Sequence, residues 1–228
     1  MGQGVFGFST GLLYSPGTYS NVDEVVALAQ VASDSGGIYT SHLRKEGIGV
    51  LDGVAEAFEI GRQARFPVVL THHKAVGQKM WGQSTVTLAM VDSARRAGTD
   101  VSVDQYPYTA TPTGIGVLVP SWAMVGGDTE FRRRVTNLAL RDSILRGIVD
   151  NIPNDRGGGD LSRVQFSRAA WDRTPEGKTL CDWVASDGRL SQPGEVHPHP
   201  RAYGMFLACS VSTCARRECA RGQPRFTR

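Results

Sequence analysis

The feature that most constrains this chain is an alternation. Short apolar runs are each followed by a stretch with helical periodicity, repeated through its first half. Val5-Phe-Gly-Phe8 reads as a strand. Residues 23–33 place Val25, Val26, Leu28, Ala29 and Val31 at helical spacing behind Asn21, a residue able to cap a helix. Gly36 and Gly37 stop that helix, and residues 38–42 read as the next strand. A second amphipathic helix spans 51–64, with Val54, Phe58 and Ile60 inward. Residues 67–71 form an apolar strand of the kind buried on both faces of a parallel sheet. A third helix spans 85–96, stopped at Gly98, and a strand follows at 100–103. Further on come a charged helix around 128–149, a strand at 163–166 and a short helix at 178–184.

Strand–helix repeats at this spacing predict βαβ units, hence an α/β fold with a parallel sheet. The position of the polar residues discriminates between sheet types. Ser9 and Thr10, His42 and Arg44, His72, His73 and Lys74, then Asp104, Tyr106 and Tyr108, all follow directly on apolar runs. A (β/α)₈ barrel assembles its site from the C-terminal ends of many strands, whereas a doubly wound sheet concentrates chemistry at one switch point. The pattern favours the barrel. A complete barrel takes eight strands and about 250 residues, and at most six strands are legible here. The expectation is therefore a partial TIM-like barrel.

Composition removes several function classes. The chain has 228 residues, 40% of them hydrophobic, which is ample for a packed core. Lys and Arg number 25 against 22 Asp and Glu, so no basic face suggests a nucleic-acid partner. No apolar run approaches the ~20 residues of a membrane span. The first residues show neither a charged nor an apolar leader segment, and the default expectation is a cytoplasmic protein.

The most informative tetrapeptide is Thr71-His-His-Lys74. Two adjacent histidines after a buried strand project to different sides, so one of them points into the mouth of a barrel. Neutral imidazole is the commonest zinc ligand, and the competing reading is a strand-end hydrogen bond. Ser186-Asp-Gly188 offers a carboxylate that can bind a metal or take a proton from metal-bound water; an Asx turn is its structural alternative.

Together these residues resemble the D-aminoacylase (N-acyl-D-amino-acid deacylase) family of the amidohydrolase superfamily. The matching stretches are residues 7–19, 37–47, 71–74, 104–110, 176–180, 186–188 and 199–204, collinear along the chain. The resemblance implies a TIM-like barrel that binds one zinc ion. It implies hydrolysis of a small-molecule N-acyl-D-amino acid to a carboxylate and the free D-amino acid. His72 resembles a zinc ligand, with His73 as its substitute. Asp187 resembles the aspartate that deprotonates the attacking water, stands at the metal and then protonates the leaving amine. Arg201 resembles the arginine that pairs with the substrate α-carboxylate, where a planar guanidinium gives bidentate geometry. His42, Arg44 and Tyr106 are implied pocket residues, each with a structural strand-end role as the alternative.

Departures from the family pattern are equally plain. The resemblance begins near the family's third strand, so its first-strand His-x-His pair and second-strand cysteine have no counterpart. Ala185 runs directly into Ser186, where the family carries several intervening elements; an internal deletion accounts for this. After Phe206 a one-base shift of reading frame restores a family-like pattern. The expected organisation is therefore a partial barrel domain over 1–206, lacking the first strands and an internal segment, and an aberrant frameshifted tail over 207–228. Such a chain is expected to be a weak or inactive catalyst. A non-catalytic remnant of the family, or a cyclic amidase of the dihydroorotase or hydantoinase type, are the alternative readings.

Overall fold

A computed structural model describes residues 4–154, 160–169 and 172–182. The chain divides into two compact units, Met1–Thr111 and Pro112–Arg228, a division inside the span read from sequence as one domain. Among the described residues no helix is long and apolar enough to cross a membrane.

The first unit is the α/β repeat. Strands β1 (Gly7–Gly11), β2 (Ile38–His42), β3 (Val68–Leu70) and β4 (Val101–Val103) form one parallel sheet in the order β1-β2-β3-β4. Helices α1 (Val22–Ser33), α2 (Val50–Ala64) and α3 (Ser84–Arg96) make the connections. Among the described residues strand order follows chain order without reversal, and so shows no switch point of the doubly wound kind. Helix α1 starts where expected, because the Asn21 side chain accepts a hydrogen bond from the Glu24 amide at 2.8 Å.

Register sets the two faces of the sheet. Phe8, Tyr39, Val68 and Val101 align across the strands, as do Thr10, Ser41, Leu70 and Val103. These rows lie towards the helices, where Tyr39, Val68, Leu70 and Val101 join Val54, Ala57 and Ile60 in the core. Each such burial stabilises by about 1.5–3 kcal/mol. Helix α2 approaches β3 so closely at Gly61 that a Cβ there would stand 2.1 Å from Val68 Cγ2. The alternate row, Ser9, Thr40, Val69 and Ser102, lies on the other face and is half-buried or exposed. His42 closes β2 on that second face, at the C-terminal end of the strand.

The second unit is helical in its described residues. Helices α4 (Ser121–Met124), α5 (Gly127–Thr136) and α6 (Leu138–Asn154) pack Ile144, Ile148 and Ile152 against Phe131, Val135 and Leu118. The single helix expected around 128–149 is two helices, because Asn137 leaves helical geometry at ψ 115°. The strand expected at 163–166 is also corrected. Asp160 caps a short 3₁₀ turn at Leu161–Arg163, its carboxylate accepting from the Ser162 amide at 2.9 Å. Among the described residues an isolated antiparallel bridge, Gln165 with Thr179, follows. Phe166 packs with Leu180 in the unit's own core instead of joining the parallel sheet.

Candidate metal centre

The C-terminal ends of β2 and β3 bring together residues 30 apart in sequence. His42 ends β2. His72 stands two residues past β3, with φ 43°, in the left-handed region that side-chain-bearing residues seldom occupy. Strict alternation after Leu70 would send residue 72 to the helix face. The left-handed turn breaks that alternation, and the His72 ring meets His42, with ring centroids 4.4 Å apart. Asp104, just after β4, holds the turn: its carboxylate accepts the His72 amide and its carbonyl accepts the His73 amide at 2.9 Å.

A closed ring of polar contacts surrounds the pair. His42 Nδ1 lies 2.7 Å from His72 Nε2. Lys74 Nζ donates to His72 Nδ1 at 2.9 Å and is ion-paired with Glu46 Oε1. Glu46 Oε2 lies 3.5 Å from His42 Nε2. An ammonium only donates, so with neutral rings His72 Nδ1 accepts and His72 Nε2 carries the proton. That proton points at His42 Nδ1, which leaves His42 Nε2–H facing the carboxylate. Glu46 is almost wholly buried, at 2% exposure, and its backbone carbonyl accepts the Val76 amide at 2.7 Å.

Ligand atoms of His42, Glu46 and His72 lie within 4.8 Å of one another, a group able to hold a metal ion. The donor chemistry fits zinc, which takes imidazole nitrogen at about 2.0–2.1 Å. His42 Nδ1 and His72 Nε2 would hold such an ion if the rings part slightly and the His72 proton moves from Nε2 to Nδ1, where Glu46 Oε1 lies 3.4 Å away. The other nitrogen of each ring is already backed by Lys74 or Glu46.

The remaining sequence-derived candidates divide. Tyr106 borders the centre: its ring is 6.4 Å from that of His72 and 5.9 Å from Lys74 Nζ. Its hydroxyl is buried without a hydrogen-bond partner. His73 turns the other way, its Nε2 2.8 Å from the Thr87 hydroxyl on α3. Burial, with the Lys74 charge adding, pushes the His73 imidazole below its ordinary pKa, while Glu46 opposes the shift. Arg44 is spent on the scaffold: Nε and Nη2 bind Glu56 at 2.9 Å and Nη1 donates to the Thr18 carbonyl at 2.9 Å. Asp187 and Arg201 lie outside the described residues.

Three members of the cluster were not singled out in the sequence as site residues: Glu46, Lys74 as the partner of Glu46, and Tyr14, whose ring lies 4.8 Å from that of His42. The usable signal was position, since Glu46 is four residues past His42 and Lys74 two past His72.

No protein-family model matches the chain. It is 35% identical over 208 residues to an N-acyl-D-glutamate deacylase of Alcaligenes xylosoxydans xylosoxydans. From the same organism, a D-aminoacylase is 31% identical over 214 residues and an N-acyl-D-aspartate deacylase 39% over 219. These alignments cover 89%, 90% and 89% of this chain but 41%, 42% and 41% of the relatives, so the chain spans about two fifths of their length. Among solved structures, the N-acyl-D-glutamate deacylase of Bordetella bronchiseptica, complexed with zinc and a phosphonate mimic of the tetrahedral intermediate, matches at TM-score 0.61. Its identity is 28%, over 90% of this chain and 33% of that one. A D-aminoacylase variant in complex with copper matches at TM-score 0.57 and 26% identity, over 82% of this chain and 31% of that one.

Proposed function

We propose, from the similarity of the chain to N-acyl-D-amino-acid deacylases, that it belongs to their family and that its first unit carries part of a zinc-dependent site for amide hydrolysis. The substrate class is a small N-acyl-D-amino acid, cleaved by water to a carboxylate and the D-amino acid. One observation carries this reading: His42 Nδ1 and His72 Nε2 face each other at 2.7 Å across two neighbouring strand ends. The sequential parallel sheet supports the view that the first unit is a portion of a (β/α)₈ barrel, whose sites lie at such ends.

His42 and His72 hold the ion in this reading, which moves His42 from the pocket wall to the metal. Zinc, when bound, polarises an acyl carbonyl and lowers the pKa of a water towards neutrality. From the family resemblance, Asp187 would take the proton from the attacking water and return it to the leaving amine. Arg201 clamps the α-carboxylate in a bidentate pair. Tyr106 bounds the substrate cavity with its buried, unpartnered hydroxyl. His73 and Arg44 hold the scaffold, because His73 Nε2 meets the Thr87 hydroxyl and Arg44 binds Glu56 and Thr18.

A mononuclear catalytic zinc uses three protein ligands and an open position. Among the described residues His42 and His72 supply two of these, and a weak catalyst is expected. The test is zinc content by plasma emission spectrometry, together with release of D-amino acid from N-acetyl-D-amino acids. We expect zinc uptake by the purified chain, loss of uptake in both His42→Ala and His72→Ala, and slow turnover that requires zinc. Uptake that survives both substitutions overturns the assignment.

A further inference from the structure

We propose that Glu46 is a positioning residue of the metal centre: its carboxylate backs the far edge of both imidazoles, Oε2 3.5 Å from His42 Nε2 and Oε1 3.4 Å from His72 Nδ1, and so fixes which nitrogen of each ring faces the ion. The inference rests on the zinc reading above and adds to it an outer residue with a defined task.

Four observations support it. Glu46 is 2% exposed, and a carboxylate so placed needs compensating partners. Those partners are the Lys74 ammonium on Oε1 and the His42 Nε2 edge, 3.5 Å from Oε2. The two carboxylate oxygens therefore face the two histidines on the sides away from the facing nitrogens. Lys74 also donates to the His72 carbonyl at 3.3 Å, which ties the left-handed turn to the same carboxylate. Finally, the Glu46 carbonyl receives the Val76 amide, so the loops after β2 and β3 are stitched at this residue.

The chemistry of the ring assigns a direction to each contact. A carboxylate oxygen 3.5 Å from His42 Nε2 favours the proton on that nitrogen, which leaves the Nδ1 lone pair directed at His72. For His72 Nε2 to take an ion its ring proton must stand on Nδ1, where Glu46 Oε1, 3.4 Å away, faces it in place of the Lys74 contact seen in the metal-free chain. A carboxylate behind a ligating imidazole also raises its basicity and restricts its rotation; loss of such a partner weakens metal affinity by about 10–100-fold. Glu46 itself lies behind the rings, with Oε1 3.4 Å from His72 Nδ1, and not between the facing nitrogens.

The experiment compares the full chain with Glu46→Gln and Glu46→Ala in three readouts. The first is zinc affinity by competition with a chromophoric chelator. The expected loss is about 10–100-fold for Glu46→Ala, and a smaller loss for Glu46→Gln, whose amide oxygen can still accept from His42. The second is the absorption spectrum of the cobalt-saturated protein, which should be unchanged, since the ligand set is the same. The third is metal-free: ¹⁵N–¹H correlation of the histidine rings should show His42 protonated on Nε2 in the parent and a mixture of tautomers in Glu46→Ala. Equal zinc affinity in all three proteins overturns the proposal, as does a changed cobalt spectrum, which would make Glu46 a direct ligand. If the parent takes up no zinc, the reading of the site fails, and the tautomer measurement alone decides the role of Glu46. Parent and Glu46→Ala rings with the same tautomer then refute it.

Discussion

Lys74→Met offers the sharpest test of how the centre is held. Methionine keeps most of the unbranched stem and deletes the charge, leaving Glu46 buried beside two neutral imidazoles. The Lys74 and Glu46 side chains are 17% and 3% exposed. Removing one partner of a buried ion pair costs about 3–5 kcal/mol. The two hydrogen bonds Lys74 gives to His72 are lost as well, at about 0.5–1.5 kcal/mol each, and the burial of the methionine offsets part of that. A loss of about 3–5 kcal/mol remains.

Lys45 provides the internal control. Its pair with Asp52 spans 3.6 Å with the side chains 56% and 78% exposed, so Lys45→Met should cost about 0–1 kcal/mol. The assay is hydrogen exchange of the metal-free chain, read on peptides covering β2 and β3. Globally protected amides there should exchange at least about 100-fold faster in Lys74→Met, since each 1.4 kcal/mol is about tenfold, and almost unchanged in Lys45→Met. Adding Glu46→Gln to Lys74→Met removes the stranded charge and should recover most of the loss. An acceleration below about tenfold in Lys74→Met, or a double variant no better protected than the single, refutes the reasoning.

Three further outcomes are expected. His73→Ala should retain zinc uptake while losing about 1 kcal/mol of stability in chemical denaturation, because its 2.8 Å contact reaches Thr87 and not the centre. Gly61→Ala should lower stability by about 1–3 kcal/mol, since the new methyl would meet Val68 Cγ2 at 2.1 Å and neither helix nor strand can yield freely there; a thermal melt equal to the parent's would contradict this packing. Tyr39 governs an alkaline response. Burial is the main cause that raises its phenol above the ordinary 10.0. The folded state therefore holds that proton more tightly than the unfolded one. Its contribution is complete below about pH 10 and is lost as pH rises through the raised native value. Tyr39→Phe should flatten the fall in stability measured by urea titration above pH 10.

Much of the architecture was legible from periodicity. Alternating apolar runs and helical stripes in the first 110 residues correspond closely to β1–β4 and α1–α3, because strands buried between layers need continuous apolar side chains and helices need only one such stripe. The Asn21 cap was readable for the same local reason. The region after 127 was harder. A break at Asn137 leaves the helical stripe of residues 128–149 nearly intact in sequence, and the apolar character of 163–166 serves a helical core as well as a sheet.

What the sequence determined by itself was the list of polar residues at strand ends, and with it the family likeness; these follow from local order along the chain. Tertiary structure decided which of them meet. His42 and His72 become neighbours only because β2 and β3 pair in parallel, and a left-handed turn held by Asp104 swings His72 off the helix face. Glu46 becomes part of the centre only because burial denies its carboxylate water and leaves Lys74 and His42 as its partners. Register, backbone handedness and burial are properties of several segments at once, and no single stretch of sequence encodes them.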